Sequence, residues 1–80
     1  MITVHVTQED IYSGIRASRT RCPVALAISR VLPDVAVGSA SVVTTGNGYA
    51  MLPSAAIVFV DRFDRGLSVE PFSFELVEVE

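Results

Sequence analysis

The sequence predicts an α+β fold in which helices pack on a mostly antiparallel sheet, and three observations carry that expectation. Both ends alternate apolar and polar residues with period two, and Pro23 and Pro53 each open a stretch with apolar residues at helical spacing. A Gly46-Asn47-Gly48 triplet between two β-rich runs adds a hairpin. The expected order is β-α-α-β-β-α-β, in one domain over residues 1–80.

Ile2, Val4 and Val6 alternate with Thr3, His5 and Thr7, the pattern of a strand with one buried face. Thr7 is placed to cap a short helix, with Asp10 three residues later as a weak capping box. Ile11 and Ile15 fall one turn apart on that helix, and Gly14 marks its end. A second helix is bracketed by Cys22, by Pro23 at its first position and by Pro33 just after Leu32. At about 100° per residue, Val24, Ala27, Ile28, Val31 and Leu32 form one apolar arc. Leu26 falls opposite, between Ser29 and Arg30, as a contact residue or as a lone exposed leucine.

From Val35 to Thr45 the chain is small, β-branched and nearly uncharged, a long strand or a strand pair that Gly38 can break with a bulge. The glycine triplet then turns the chain into a strand at Tyr49–Leu52; it matches no phosphate-binding loop, having no Lys-Ser/Thr and no helix start after it. Pro53 and Ser54 open a third helix that ends at Gly66, with Ala56, Phe59, Val60 and Phe63 as its buried stripe. Asp61 and Arg65 are spaced to pair on its wet side, where Val58 also lies. In the last strand, Pro71 to Glu80, Phe72, Phe74 and Leu76 share one face. The apolar set then passes to Val77 and Val79, which implies a bulge or a strand whose faces meet different neighbours. The first strand is expected beside the last.

A chain of 80 residues buries only about 60–65% of the surface its unfolded form exposes. Half of the residues are nevertheless apolar and mean hydropathy is positive. A subunit interface is the simplest outlet for that surplus, so a homo-oligomer, most simply a dimer, is expected. No apolar run approaches the roughly 18 residues of a membrane span, and no signal peptide is evident at the N-terminus. The single cysteine cannot form an internal disulfide, which fits a reducing cytoplasm. Net charge is −3 and every cation is arginine, a balance that argues against broad nucleic-acid binding.

The segment Arg16-Ala17-Ser18-Arg19-Thr20-Arg21-Cys22-Pro23 holds three of the six cations and the only cysteine, and it stops at a helix start. Arg16, Ser18, Arg19, Thr20 and Arg21 are therefore a candidate anion site, able to clamp a phosphate or a partner's carboxylates. Neutralisation by Glu9, Asp10 or the late glutamates is the competing reading. Cys22 beside Arg21 at a helix N-terminus invites a lowered thiol pKa, against the alternative of a cap or core residue. Catalysis would need a base, and nothing in the sequence brings His5 near Cys22. His5 lacks companions for zinc, and Asp61 with Asp64 reads as a solvated helix face. No catalytic residue, metal or cofactor is expected. Leu26, Arg30, Val58, Val77 and Val79 are the candidate interface.

The motifs Thr7-Gln8-Glu9-Asp10-Ile11, Gly14, Arg16, Ser18, Cys22-Pro23-Val24-Ala25-Leu26-Ala27, Phe63-Asp64-Arg65-Gly66 and Pro71-Phe72-Ser73-Phe74 resemble a family of small uncharacterised proteins of actinobacteria and their tailed phages. The likeness touches both ends and leaves Val35–Leu52 unmatched. It implies a phage or prophage accessory protein in the bacterial cytoplasm, and no named activity. Many members of that family carry a second cysteine three residues before the Cys-Pro; Arg19 stands there in this chain, so no metal or redox role for such a pair carries over. The expected function is non-enzymatic, through a protein–protein interface that modulates or inhibits a host factor. The alternative is a binder of a small, nucleotide-like phosphorylated ligand at the arginine loop.

Overall fold

The terminal strands pair. β1 (Ile2–Val6) runs antiparallel to β5 (Phe72–Val79), with Val4 opposite Phe74 and Ile2 opposite Leu76. A computed structural model describes residues 2–38, 42–46 and 48–79. Between the terminal strands lie α1 (Gln8–Ser13), α2 (Pro23–Ser29), β2 (Ala36–Val37), β3 (Val42–Thr45), β4 (Gly48–Met51) and α3 (Ser54–Asp64). The strands form one antiparallel sheet in the order β1-β5-β4-β3-β2, so the fold is α+β. The Val35–Thr45 stretch resolves into the strand pair β2 and β3, one strand more than the expected order. Gly38 is no bulge: its N–H donates to the Val42 carbonyl at 2.8 Å as the chain leaves β2. Asn47 of the expected turn and the terminal Glu80 lie outside the described residues, while Thr45 pairs with Gly48 across that turn.

Alternation decides which side of the sheet is covered. Val4, Val6, Val37, Val43, Ala50, Phe74 and Leu76 are buried on the inner face against Val24, Ala25, Ala27 and Ile28 of α2 and Ala56 and Phe59 of α3. Phe59 stacks on Phe72 at 4.7 Å and lies 6.5 Å from Phe63, which ties α3 to β5. Of the two alternatives for β5, the bulge does not occur. The strand's alternation runs unbroken, and the neighbour changes instead: residues up to Leu76 pair with β1, and Val77 to Val79 pair with β4. Val77 and Val79 therefore share the outer face with Ser73 and Glu75.

The local signals end the helices earlier than their apolar patterns suggest. The Thr7–Asp10 capping box is present, but α1 stops at Ser13, so Ile15 leaves the helix and is half exposed. α2 stops at Ser29, and Val31 consequently falls out of the buried arc while Leu32 stays in it. α3 ends in a Schellman motif: Leu67 N–H donates to the Arg62 carbonyl, Gly66 N–H to Phe63, and Gly66 takes φ +76°.

Candidate functional site

The arginine loop is an ordered strap. Ile15 N–H donates to the Arg21 carbonyl, Cys22 N–H to Ser18, and the Ser18 hydroxyl accepts from Arg21 N–H. Two tethers fix the strap to the body. Val37 N–H on the outer edge of β2 donates to the Arg19 carbonyl at 2.7 Å, and Ala17 N–H donates to Asp64 Oδ1 at 2.9 Å. Ala17 sits at φ +57°, a left-handed conformation that costs a non-glycine residue roughly 1 kcal/mol.

The strap parts its arginines. Arg16 lies with its guanidinium over Gly66, beside the C-terminal end of α3 where a cation meets the negative end of the helix dipole. Arg19 lines a different hollow, and Arg21 and Thr20 are exposed and line neither. The structure thus does not gather the five predicted anion-site residues around one point. None of Arg16, Arg19 and Arg21 forms an ion pair among the described residues. Of the acidic residues expected to neutralise them, Glu9, Asp10 and the late glutamates, Asp10 is taken by Arg30 instead.

Cys22 caps α2, with Sγ accepting from Ala25 N–H at 3.4 Å. Burial pushes its thiol pKa up, and the nearby Asp64 charge adds to the rise, so the lowered pKa expected from Arg21 is corrected. His5 lies on the outer sheet face with Nδ1 2.6 Å from Ser73 Oγ, away from Cys22. Among the described residues no three His, Cys, Asp or Glu side chains form a metal-binding group, and no helix is long and apolar enough to cross a membrane.

The hollow that Arg19 lines is a groove of about 510 Å³ between the strap, β2 and α3. Val37, Leu52, Val60 and Cys22 contribute apolar lining, Ile57 and Val58 stand on the α3 wall, and Ser18, Arg19, Asp61 and Asp64 supply the polar groups. One predicted interface residue, Val58, thereby meets two predicted anion-site residues, Ser18 and Arg19. Val58 is 53% exposed. The other predicted interface residues lie elsewhere. Leu26 is half-buried and not fully outward, because α2 is covered on most of its circumference. Arg30 is engaged by Asp10 and by the His5 carbonyl at 2.7 Å, so its guanidinium closes the β1 side of the molecule. Val77 and Val79 are on the outer sheet face, beside Met51 and Tyr49 respectively.

That outer face has two halves. Thr3, His5, Ser73 and Glu75 are polar and satisfy one another, with Thr3 Oγ1 donating to Glu75 and His5 beside Ser73. Tyr49, Met51, Val77 and Val79 are all exposed, Tyr49 to 60%. The sequence reading missed Tyr49 and Met51. Their alternation with buried Ala50 and Leu52 was the available signal, as period two places them opposite the core. Comparison with protein-family models, with curated proteins and with solved structures finds no match to this chain.

Proposed function

We propose that this chain is a non-enzymatic accessory protein of phage or prophage type that acts through protein–protein interfaces, first with a second copy of itself. The observation that carries the reading is the apolar half of the outer sheet face. An antiparallel sheet with one face in water carries polar residues there, and β1 and the first half of β5 follow that rule. Tyr49 with Val79 and Met51 with Val77 break it at paired positions. A twofold dimer places the same patch of each copy face to face, so these four residues would meet their own counterparts. The patch supplies the apolar centre of an interface, and Thr3, His5, Ser73 and Glu75 supply part of the polar rim that brings each side toward the roughly 800 Å² of a standard contact.

The resemblance of the Cys-Pro-Val-Ala-Leu-Ala and Pro-Phe-Ser-Phe segments to small actinobacterial and phage proteins supports a cytoplasmic host setting and a host factor as further partner. No specific observation favours the phosphorylated-ligand alternative, because the arginines diverge and two carboxylates line the groove beside Arg19.

Native mass spectrometry tests the reading. The wild-type chain is expected as a dimer, and the double variant Val77→Glu/Val79→Glu as a folded monomer. A wild-type monomer, or a dimer unchanged by the double variant, overturns the role of this face.

A further inference from the structure

We propose that the Asp10–Arg30 pair is a latch over the β1 edge of the sheet, and that releasing it lets β1 pair antiparallel with β1 of a second copy. This goes beyond the reading of the outer face, because the contact runs along the edge of the sheet and in its plane.

The two edges are guarded by different means. β2 is two residues long, and the strap already occupies its Val37 N–H through the Arg19 carbonyl. β1 is five residues long and mostly β-branched, with no charged residue, no proline and an unbroken register on β5. An edge of that kind invites another strand unless something covers it. In an antiparallel pair, alternate residues turn their N–H and C=O away from the partner strand. The His5 carbonyl reaches Arg30, so His5 and Thr3 are the residues that face outward. Neither of their N–H groups meets an acceptor among the described residues.

Arg30 is what stands in the way. One guanidinium nitrogen lies 2.7 Å from the His5 carbonyl, where the N–H of an added strand has to come. Both terminal nitrogens are held by Asp10, a buried carboxylate that is itself fixed by Thr7 N–H. The guanidinium is therefore locked in place and does not swing aside as a free surface arginine does.

The ladder of β1 names its occupant. With a twofold axis at Val4, Thr3 of one copy lies opposite His5 of the other, and each such pair exchanges both N–H···O=C bonds. On the inner side Val4 meets Val4 and Ile2 meets Val6, apolar throughout. On the outer side Thr3 meets His5, with no like charges opposed. Every position of β1 thus finds a compatible partner in a second β1.

The test uses Asp10→Asn/Arg30→Ala, which removes the guanidinium together with the charge it pairs. The new side-chain carbonyl still accepts from Thr7 N–H, so the cap of α1 stays. The pair is introduced into the Val77→Glu/Val79→Glu chain, whose outer face is blocked. Native mass spectrometry is expected to show that background as a monomer and the latch variant as a dimer. Amide exchange at Thr3 and His5, fast in the background, should slow roughly tenfold or more as both N–H groups gain acceptors. Adding Thr3→Pro deletes an N–H that β5 does not use and should restore a folded monomer. Gly14→Ala in the same background loses stability without touching the latch and should stay monomeric. A monomeric latch variant, alone or holding another protein, overturns the proposal. So does a dimer that survives Thr3→Pro, one without protection at Thr3 and His5, or one formed equally by Gly14→Ala. If the background is itself a dimer, the outer-face reading fails separately, and the latch is then read as a step from dimer to tetramer.

Discussion

Asp10 shows how much one side chain organises at the scale of a residue. It is only 5% exposed, and its carboxylate accepts from Thr7 N–H at 2.9 Å and from both terminal nitrogens of Arg30, at 2.5 and 2.7 Å. Arg30 passes the constraint on to the His5 carbonyl, so α1, the end of α2 and β1 are pinned together. The Arg30 hydrogen bonds, with help from Thr7 and against the cost of burial, hold the Asp10 carboxyl below the usual carboxylate range. A group whose folded pKa is depressed stabilises the fold above its unfolded pKa, about 3.9, and that contribution disappears as pH falls through the folded value. Arg30→Met is therefore expected to cost about 1–3 kcal/mol at pH 7 in urea unfolding, the guanidinium being half exposed. The gap from wild type should shrink as pH drops below about 4. A gap that stays constant down to pH 2 would contradict this account. The capping partner of Asp10 was visible in the sequence, since Thr7 lies three residues away. Arg30 was not, because a spacing of 20 residues leaves no local pattern.

Elements meet through two glycines that matter for different reasons. Gly14 has φ −68°, which any residue adopts, yet a Cβ there would lie 2.6 Å from the Pro23 ring and 2.9 Å from the Asp10 carbonyl. The end of α1 is simply pressed against the start of α2. Gly66 has φ +76°, and its hypothetical Cβ would meet only the movable guanidinium of Arg16. Gly14→Ala should thus cost about 1–3 kcal/mol through rigid overpacking, and Gly66→Ala about 1 kcal/mol through backbone strain. Thermal or urea unfolding of the two variants orders them, and a harmless Gly14→Ala would refute the close approach. The sequence marked both glycines as helix ends, correctly. Only the folded chain reveals that Gly14 serves packing, because a clash between residues nine apart depends on how the loop between them returns.

For the whole molecule, β5 is the organising strand. It takes β1 along its first five residues and β4 along its last three, and so joins the chain ends to the central hairpin. β2, two residues long at the sheet's edge, is held on its outer side by the strap through Val37. Hydrogen exchange is therefore expected to be slowest for amides of Val4, Phe74 and Leu76 and much faster at Ala36 and Val37, since local opening follows the number of neighbours lost. Comparable protection in β2 and β5 would show that the strap makes the edge as stable as the centre. The candidate surfaces belong to this scale too. The outer face requires β4 beside the end of β5, and the groove requires α3, β2 and the strap together.

The sequence by itself determined the α+β class, the capping box, the start of α2 at Pro23, the hairpin at Gly46–Gly48, the end of α3 and the Asp61–Arg65 pair. Each is a local consequence of side-chain period, cap chemistry or backbone freedom within a few residues. The tertiary structure alone decided that the loop arginines part company and that burial pushes the Cys22 thiol pKa up. It also decided that Val58 meets Arg19 in one groove and that Val77 and Val79 join Tyr49 and Met51. Those outcomes depend on which distant segments become neighbours. Charge and apolarity act through distance and burial in the folded chain, and spacing along the chain does not encode either once a loop intervenes.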